Sequence, residues 1–268
     1  MFKVNDLIHD KYTVIQLLHE TKSSYIFEVK DERKQLKVLK VARNIDTRIN
    51  EQVMNEARIL AKVEHPKIPK LYDKLIIEDN YHAIVMDKIT GSSLADRMKH
   101  MQQPFDWQAI QQITSQLLSV VQVFHTQSIP IILRDIKPSN ILLTDDHQLF
   151  LIDFGVAKPI NELQQSNAMG TIGFSAPEQF ECGEASVQSD LFSIGATLFY
   201  LLSNGENIYT KSMKDLQIDK IPFAYMRWIK QLTETVPHKR IATIQQAEKK
   251  FKLLSMSKRE RILHYFIG

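Results

Sequence analysis

The residues best suited to chemistry lie in one polar stretch near the middle of the chain. Asp135, Lys137 and Asn140 fall within six residues, and Asp153 follows thirteen residues after Asn140. A carboxylate can accept a proton from a hydroxyl, and carboxylate and amide oxygens are hard ligands that suit Mg²⁺. These residue types therefore suit acid–base chemistry or the binding of a hard cation, although the string Asp-Ile-Lys-Pro-Ser-Asn taken alone would also suit an ordinary polar loop.

Three motifs in and after this stretch follow one another in a fixed order. Residues 133–140 read Leu-Arg-Asp-Ile-Lys-Pro-Ser-Asn, residues 153–155 read Asp-Phe-Gly, and residues 176–178 read Ala-Pro-Glu. In this order and at these spacings they resemble the motif set of the eukaryotic-like serine/threonine protein kinases. The resemblance runs from the strand before Lys40 to Arg240 and so covers nearly the whole chain.

The resemblance implies catalytic and metal-binding roles for four residues of this region. Asp135 matches the aspartate that orients the substrate hydroxyl and accepts its proton. Lys137 matches the lysine that serine/threonine kinases place on the γ-phosphate, which favours Ser or Thr as acceptor. Asn140 and Asp153 match the two Mg²⁺ ligands. The cofactors expected are therefore ATP and Mg²⁺.

The resemblance also implies an ion pair in the first part of the chain. Lys40 ends the string Lys-Val-Leu-Lys and matches the lysine that contacts the α- and β-phosphates. Glu56 follows sixteen residues later, inside a helical pattern, and matches its carboxylate partner. A lone lysine and glutamate are more often solvated surface charges, so the pairing depends on this register.

An adenine pocket is implied at residues that resemble the family's hinge. Met86 would be the gatekeeper, and the Asp87 carbonyl and the Ile89 amide would bond the purine edge. The bland alternative is that the apolar members are simply core residues. The full set expected to contact ATP is Leu18, Ile26, Val38, Lys40, Met86, Asp87, Ile89 and Leu142.

Further residues resemble structural and regulatory positions of the family. Glu178 and Arg240 match a buried ion pair of the activation segment, which favours a protein substrate over a small molecule. Asp190 matches the helix aspartate that braces the catalytic loop. Two smaller expectations concern the activation segment itself: Thr171 bonds Asp135 and Lys137, and a phosphate added at Ser166 pairs with Arg134 and Lys158.

The elements that position these residues change type along the chain. Strand-like patterns cover 12–18, 25–30, 35–41, 75–77 and 81–86, with one amphipathic helix through Val53, Ala57 and Leu60. Beyond residue 91 the period is mainly helical. The expected fold is α+β and two-lobed: a small β-rich N-lobe with one main helix at 1–86, a hinge at 87–90, and a larger, mostly α-helical C-lobe at 91–268. Together they form one protein kinase domain.

The phosphate-covering loop departs most from the family pattern. Its three glycines are replaced by His19, Thr21 and Ser24, and a stiffer lid could weaken ATP binding. The main expectation is transfer of the γ-phosphate of ATP to protein Ser/Thr hydroxyls, with autophosphorylation. Two alternatives stay open: a pseudokinase that binds nucleotide or partners without transfer, and a small-molecule kinase.

Composition limits the cellular setting. The formal net charge is +3 with the basic residues spread along 268 residues, so no nucleic acid partner is expected. The single cysteine, Cys182, excludes an internal disulfide, and the longest apolar run, 191–202, is too short to span a bilayer. We expect a cytoplasmic protein, and the motif details look most like bacterial members of the family.

Overall fold

The chain divides into two compact units in the computed structural model. The first comprises residues 1–91 with 152–157, and the second comprises 92–151 with 158–268. The structure describes residues 2–43, 46–77, 80–100, 105–165, 170–210 and 221–255. The lobe and hinge boundaries expected from the sequence stay predictions, and each unit is described by itself below.

The first unit is built on a six-stranded antiparallel sheet with the order β1-β2-β3-β4-β6-β5. Its interior is apolar, because alternate strand residues such as Val14, Phe27, Val29 and Leu39 point to one buried face. Most expected strands are present within two residues of their expected ends, but the strand expected at 75–77 begins four residues earlier. The strands are β1 (Leu7–Ile8), β2 (Tyr12–Glu20), β3 (Ser24–Lys30), β4 (Leu36–Ala42), β5 (Leu71–Ile77) and β6 (Tyr81–Asp87).

The helix α1 (Thr47–Leu60) packs within this unit and carries Glu56 on its buried side. It begins at Asp46, whose carboxylate accepts a hydrogen bond from the Arg48 amide and satisfies a free donor of the first turn. Val53 and Ala57 are buried, as their spacing predicts, and anchor the helix against its neighbours. Glu56 is therefore held on a fixed helix face.

The second unit is mostly helical. Its small sheets join β7 (Ser92–Ser93), β9 (Ile141–Leu143) and β10 (Leu149–Leu151), and pair β8 (Ile131–Ile132) with β11 (Lys158–Pro159). Its helices are α2 (Leu94–His100), α3 (Trp107–His125), α4 (Pro177–Glu181), α5 (Val187–Leu202), α6 (Phe223–Leu232) and α7 (Ile244–Ser255). Within the described ranges, no helix combines the length and apolar character needed to cross a membrane.

The helix α5 is the central element of the second unit. Its stretch 191–202 is buried on nearly all sides, as the apolar character of that stretch predicts. The helix begins with a capping box. The Ser186 hydroxyl accepts hydrogen bonds from amides of the first turn, and the Ser186 amide donates to the Ser189 hydroxyl. This rigid start places Asp190, in the first turn, at a defined position inside the unit.

Candidate active site

One charged cluster lies entirely within the first unit. The Lys40 ammonium on β4 donates to Glu56 Oε2 at 2.5 Å and to Asp153 Oδ1 at 2.9 Å. Lys40 and Glu56 are almost completely buried, whereas the Asp153 side chain is 45% exposed. The lysine thus joins a buried helix carboxylate to a carboxylate that solvent or a ligand can reach.

Burial and charge act against each other in this cluster. Burial alone would lower the pKa of Lys40, but the carboxylates of Asp153 and Glu56 outweigh it and raise that pKa above its usual value. Burial favours the neutral form of Glu56 and raises its pKa, with Lys40 acting in the opposite direction. Lys40 is therefore a fixed cation at neutral pH, as contact with phosphate requires.

The helix α1 also holds the backbone that follows Asp153. Glu56 Oε1 accepts from the Phe154 amide at 3.3 Å, and the Asn55 side-chain amide donates to the carbonyls of Gly155 and Ala157 at 3.0 and 2.7 Å. Asp153 itself has a φ of 66°, a left-handed conformation that is unusual for any residue but glycine. Such strain persists only where neighbouring contacts impose it, and α1 supplies those contacts.

A second polar cluster lies within the second unit, around Asp135. Lys137 Nζ contacts Asp135 Oδ2 at 2.7 Å, and Thr171 Oγ1 donates to Asp135 Oδ1 at 2.7 Å. Lys137 also donates to Thr171 Oγ1 at 2.9 Å, so both contacts expected of Thr171 are present. The carboxylate is held in one orientation beside a cation, which suits a group that must orient a hydroxyl and accept its proton.

Asp190 fixes the backbone that leads into this cluster. Its two carboxylate oxygens accept from the amides of Leu133 and Arg134 at 2.8 and 2.9 Å, and His125 Nε2 lies 2.8 Å from Oδ2. Arg134 has a φ of 69° and is completely buried. A carboxylate from the rigid start of α5 thus stabilises a strained turn one residue before Asp135.

The expected ion pair of Glu178 and Arg240 is present with two-pronged geometry. The Arg240 guanidinium donates to both Glu178 oxygens, at 2.6 and 2.7 Å. Ser189 in α5 donates to Glu178 as well, at 2.9 Å. Burial alone would raise the pKa of Glu178, but the hydrogen bonds from Arg240 prevail and lower it. Parallel bonds of this kind fix geometry as well as charge, so the pair holds Glu178 in one orientation.

The donor atoms expected to hold Mg²⁺ fit that ion in type. Asn140 Nδ2 donates to the Asp135 carbonyl and to Asp135 Oδ2, at 3.0 and 3.1 Å, so its amide oxygen is the atom suited to a cation. Asp153 offers a partly exposed carboxylate. No cluster of three or more His, Cys, Asp or Glu side chains suited to a metal occurs in the described part of the chain. Each of these oxygens, taken within its own unit, is of the type that Mg²⁺ prefers.

The apolar residues expected around adenine differ in how far they are buried. Ile26, Val38, Ile89 and Leu142 are only partly buried, whereas Met86 is buried. Ile26 lies opposite Lys40 in the strand register, and Val38 lies opposite Met86, so these side chains share one face of the sheet. Leu18 is exposed and falls at an irregularity in the pairing of β2 with β3. Apolar surface is therefore available beside Lys40 in the first unit.

The backbone conformation of the loop at residues 19–24 is compatible with its lack of glycine. No residue from 19 to 24 has a positive φ, so this turn does not need glycine for its backbone conformation. The Thr21 hydroxyl accepts from the amides of Ser23 and Ser24 at 3.2 and 2.8 Å. A side chain of the loop therefore bonds two backbone donors that a glycine-rich loop would offer to phosphate.

The phosphorylation switch expected at Ser166 cannot be placed, because Ser166 lies outside the described residues. Lys158 lies on β11 opposite Ile132, and Arg134 is buried as described above. The pairing of both cations with a phosphate at Ser166 stays a prediction.

Several contacts of these clusters were not expected from the sequence. The contacts of Asn55 and His125 were missed, and so were the hydrogen bonds of Thr21, which the sequence shows only as a replacement for a family glycine. Outside these clusters, the ion pair of Glu28 was missed too, although a glutamate inside the apolar string Ile-Phe-Glu-Val was a visible signal. The roles that the sequence assigns to the expected site residues remain predictions. The observed geometry of these residues suits those roles.

Comparison with known proteins matches residues 12–263 to the family described as the protein kinase domain. A probable serine/threonine-protein kinase PknB of Lactococcus lactis is 30% identical over 83% of this chain and 37% of its own length. The serine/threonine-protein kinase PrkC of Bacillus subtilis is 28% identical over 75% and 31%, respectively. The receptor-like kinase LIP2 of Arabidopsis thaliana is 32% identical over 63% and 32%. The chain thus spans about a third of the length of these curated relatives.

Proposed function

Because the chain belongs to the protein kinase domain family, we propose that it transfers the γ-phosphate of ATP to Ser or Thr hydroxyls of proteins, itself included, in a reaction that requires Mg²⁺. The family, the α+β kinase fold and the enzyme class, a protein kinase, agree with the sequence-based predictions, which are confirmed at this level. The acceptor, the cofactors and autophosphorylation belong to the proposal.

The observation that carries the proposal is the organisation of Asp135. Its carboxylate is oriented by Lys137 and Thr171, and its backbone carbonyl is fixed by Asn140. A carboxylate held beside a cation suits a base that acts next to transferred phosphate. In this proposal Lys40 and Lys137 neutralise phosphate charge, and Asn140 and Asp153 hold Mg²⁺, which supplies further charge neutralisation when bound.

A protein acceptor is proposed over a small molecule because of the activation segment. Glu178 and Arg240 form the ion pair that small-molecule phosphotransferases of related fold generally lack. The relatives PknB and PrkC carry serine/threonine-protein kinase in their names, which supports the same acceptor class. A cytoplasmic location and a bacterial source stay predictions.

One observation favours a second candidate function, nucleotide binding without transfer. The Thr21 hydroxyl already bonds two backbone amides of the lid, which weakens the case for a lid that grips phosphate. Against this, the chain has a lysine, two candidate metal ligands and a candidate base at the positions that the transfer reaction needs. We therefore rank nucleotide binding without transfer as the second candidate function.

The test is incubation with γ-labelled ATP and Mg²⁺, first alone and then with a basic protein, followed by mass spectrometry of the phosphorylated residues. Asp135→Asn should lower transfer at least about a hundredfold, the lower limit for loss of a general base, while ATP binding persists. Asp10→Asn is the matched control, since Asp10 is exposed and has a left-handed φ of 54° that asparagine tolerates.

Equal transfer by wild type and Asp135→Asn would contradict the proposal. Retained ATP binding without transfer by wild type would support the second candidate. Label found only on added small-molecule acceptors would support a small-molecule kinase.

A further inference from the structure

A partly buried ion pair outside the two clusters joins the sheet to the segment after β6. Lys88 Nζ contacts Glu28 Oε1 at 2.5 Å, and Gln16 Nε2 donates to Glu28 Oε2 at 2.6 Å. Glu28, on β3, is only 3% exposed. Gln16 and then Lys88 lower the pKa of Glu28, which outweighs the effect of burial. A charged carboxylate is thus maintained inside the first unit, where an unpaired one would be costly.

The residue before Lys88 is fixed by a different set of partners. Asp87 Oδ1 accepts from the Tyr72 hydroxyl at 2.8 Å, and Asp87 Oδ2 accepts from the Lys70 amide at 3.0 Å. Lys37 Nζ lies 3.5 Å from Asp87 Oδ1 and 3.6 Å from the centre of the Tyr72 ring. The Asp87 amide in turn donates to the Lys70 carbonyl at 3.0 Å.

The two sets of partners lie on opposite faces of the sheet. Glu28 lies opposite Val38 in the register, and Lys37 lies opposite Asp87. Because successive strand residues point to opposite faces, Val38 with Glu28 occupies one face and Lys37 with Asp87 the other. Two consecutive residues, 87 and 88, are therefore tied to the sheet from both of its sides.

We propose that Glu28 and Lys88 are positioning residues that hold the hinge peptides ready for the adenine ring. The inference rests on the proposed function, in which the Asp87 carbonyl and the Ile89 amide bond the purine. The Cα atom of Lys88 joins the peptide that carries this carbonyl to the peptide that carries this amide. Fixing the Lys88 side chain restricts rotation about that atom, so both groups keep their directions before nucleotide binds.

The expected effect is on affinity and not on the chemical step. A hinge released from the ion pair would occupy its binding-competent form for part of the time, and the apparent Kd rises by the reciprocal of that fraction. A competent fraction of about 10–20% raises the Kd about five- to tenfold. Because the hinge contacts the base, adenosine and ATP should lose affinity by the same factor.

The experiment compares Lys88→Met with wild type by calorimetric titration of ATP and of adenosine, and by steady-state kinetics. We expect the Kd of both ligands and the KM for ATP to rise about five- to tenfold, with kcat changed less than about twofold. Lys88→Arg, which keeps the charge, should restore the affinity. Lys11→Met is the matched control, because it removes the partly exposed contact of Lys11 with Asp73 from the same sheet.

A second variant separates folding from positioning. In Glu28→Leu with Lys88→Met no unpaired charge is buried, so the chain should melt near the wild-type temperature while adenosine still binds weakly. Wild-type affinity for adenosine in either folded variant would overturn the inference. Failure of the proposed function has a different signature, namely a wild-type chain that binds ATP but transfers no more phosphate than Asp135→Asn. A wild-type chain that binds neither ligand would reject both.

Discussion

The side-chain amide of Asn55 donates to the carbonyl of Ala157 at 2.7 Å and thereby ties helix α1 to the segment that begins with Asp153. The same nitrogen lies 3.0 Å from the Gly155 carbonyl, and Arg58 donates to the Asn55 oxygen at 2.7 Å. One side chain adjacent to Glu56 thus orients the backbone around a proposed metal ligand. Outer partners of this kind commonly matter for metal binding as much as the ligand does.

Asn55→Leu should lower transfer activity by about tenfold or more, since the carbonyls of Gly155 and Ala157 lose their donor. The expected signature is a higher Mg²⁺ concentration for half-maximal activity, because Asp153 is no longer held in place. Activity measured across a Mg²⁺ titration checks this. The control is Glu51→Leu, at an exposed position of the same helix. An unchanged Mg²⁺ requirement would show that Asn55 serves packing only.

Removing one charge of the buried Lys40–Glu56 pair should lower the free energy of unfolding more than removing both charges. Lys40→Met leaves Glu56 buried beside Asp153 and should destabilise the fold by about 3–5 kcal/mol. Lys40→Met combined with Glu56→Leu should recover most of that loss, but activity should stay absent in both variants because the phosphate contact is gone. Urea unfolding and the transfer assay measure the two effects separately. Equal stability of the single and double variants would contradict a buried, charged Glu56.

Thr21→Ala should free the amides of Ser23 and Ser24 for phosphate. We expect ATP to bind about threefold more tightly, the value of one ordinary hydrogen bond, while adenosine is unaffected. Titration calorimetry with both ligands tests this, and Ser23→Ala serves as a control on the same turn. A weaker affinity for ATP would mean that the threonine organises the lid and does not occupy its donors.

Glu178 should make the fold sensitive to acid. The pKa of Glu178 is lowered in the folded state, so its contribution to stability is present above the unfolded value of about 4.3 and is lost as the pH falls through the folded value. The free energy of unfolding of wild type should therefore fall more steeply below about pH 4.5 than that of Glu178→Gln. Urea titrations from pH 7 to pH 3 measure this, with the exposed Glu32→Gln as control. Parallel curves would exclude the linkage.

Sequence reasoning could anticipate the contacts whose partners lie inside recognisable motifs. The ion pairs of Lys40 with Glu56 and of Glu178 with Arg240 are present in the structure. Both could be expected, because motif order and helical register identify the two partners of each pair. Most strands of the first unit and the helix α1 could be predicted from the spacing of apolar residues, because this spacing indicates which face of an element is buried. The early start of β5 was missed because its first residues, from Leu71, alternate between partly buried and exposed without a strong apolar signal.

Contacts that depend on the exact placement of two elements could not be read from the chain. Asn55 looks like an ordinary exposed helix residue until the backbone at Gly155 is placed beside it. Lys88 lies beside Glu28 only because strands β3, β4 and β6 pair in the observed register. Thr21 replaces a family glycine, and the sequence shows the loss of glycine but not the hydrogen bonds that its hydroxyl gains. Such information is held in tertiary geometry and not in local pattern.

The burial of α5 has a consequence for hydrogen exchange. The amides of Leu133 and Arg134 donate to Asp190, which lies in the first turn of a helix that is buried on nearly all sides. Those two amides can be released only when α5 itself opens, so their exchange with deuterium should be as slow as the slowest protons of the second unit. The residue that precedes Asp135 would then keep its strained backbone for as long as that unit remains folded.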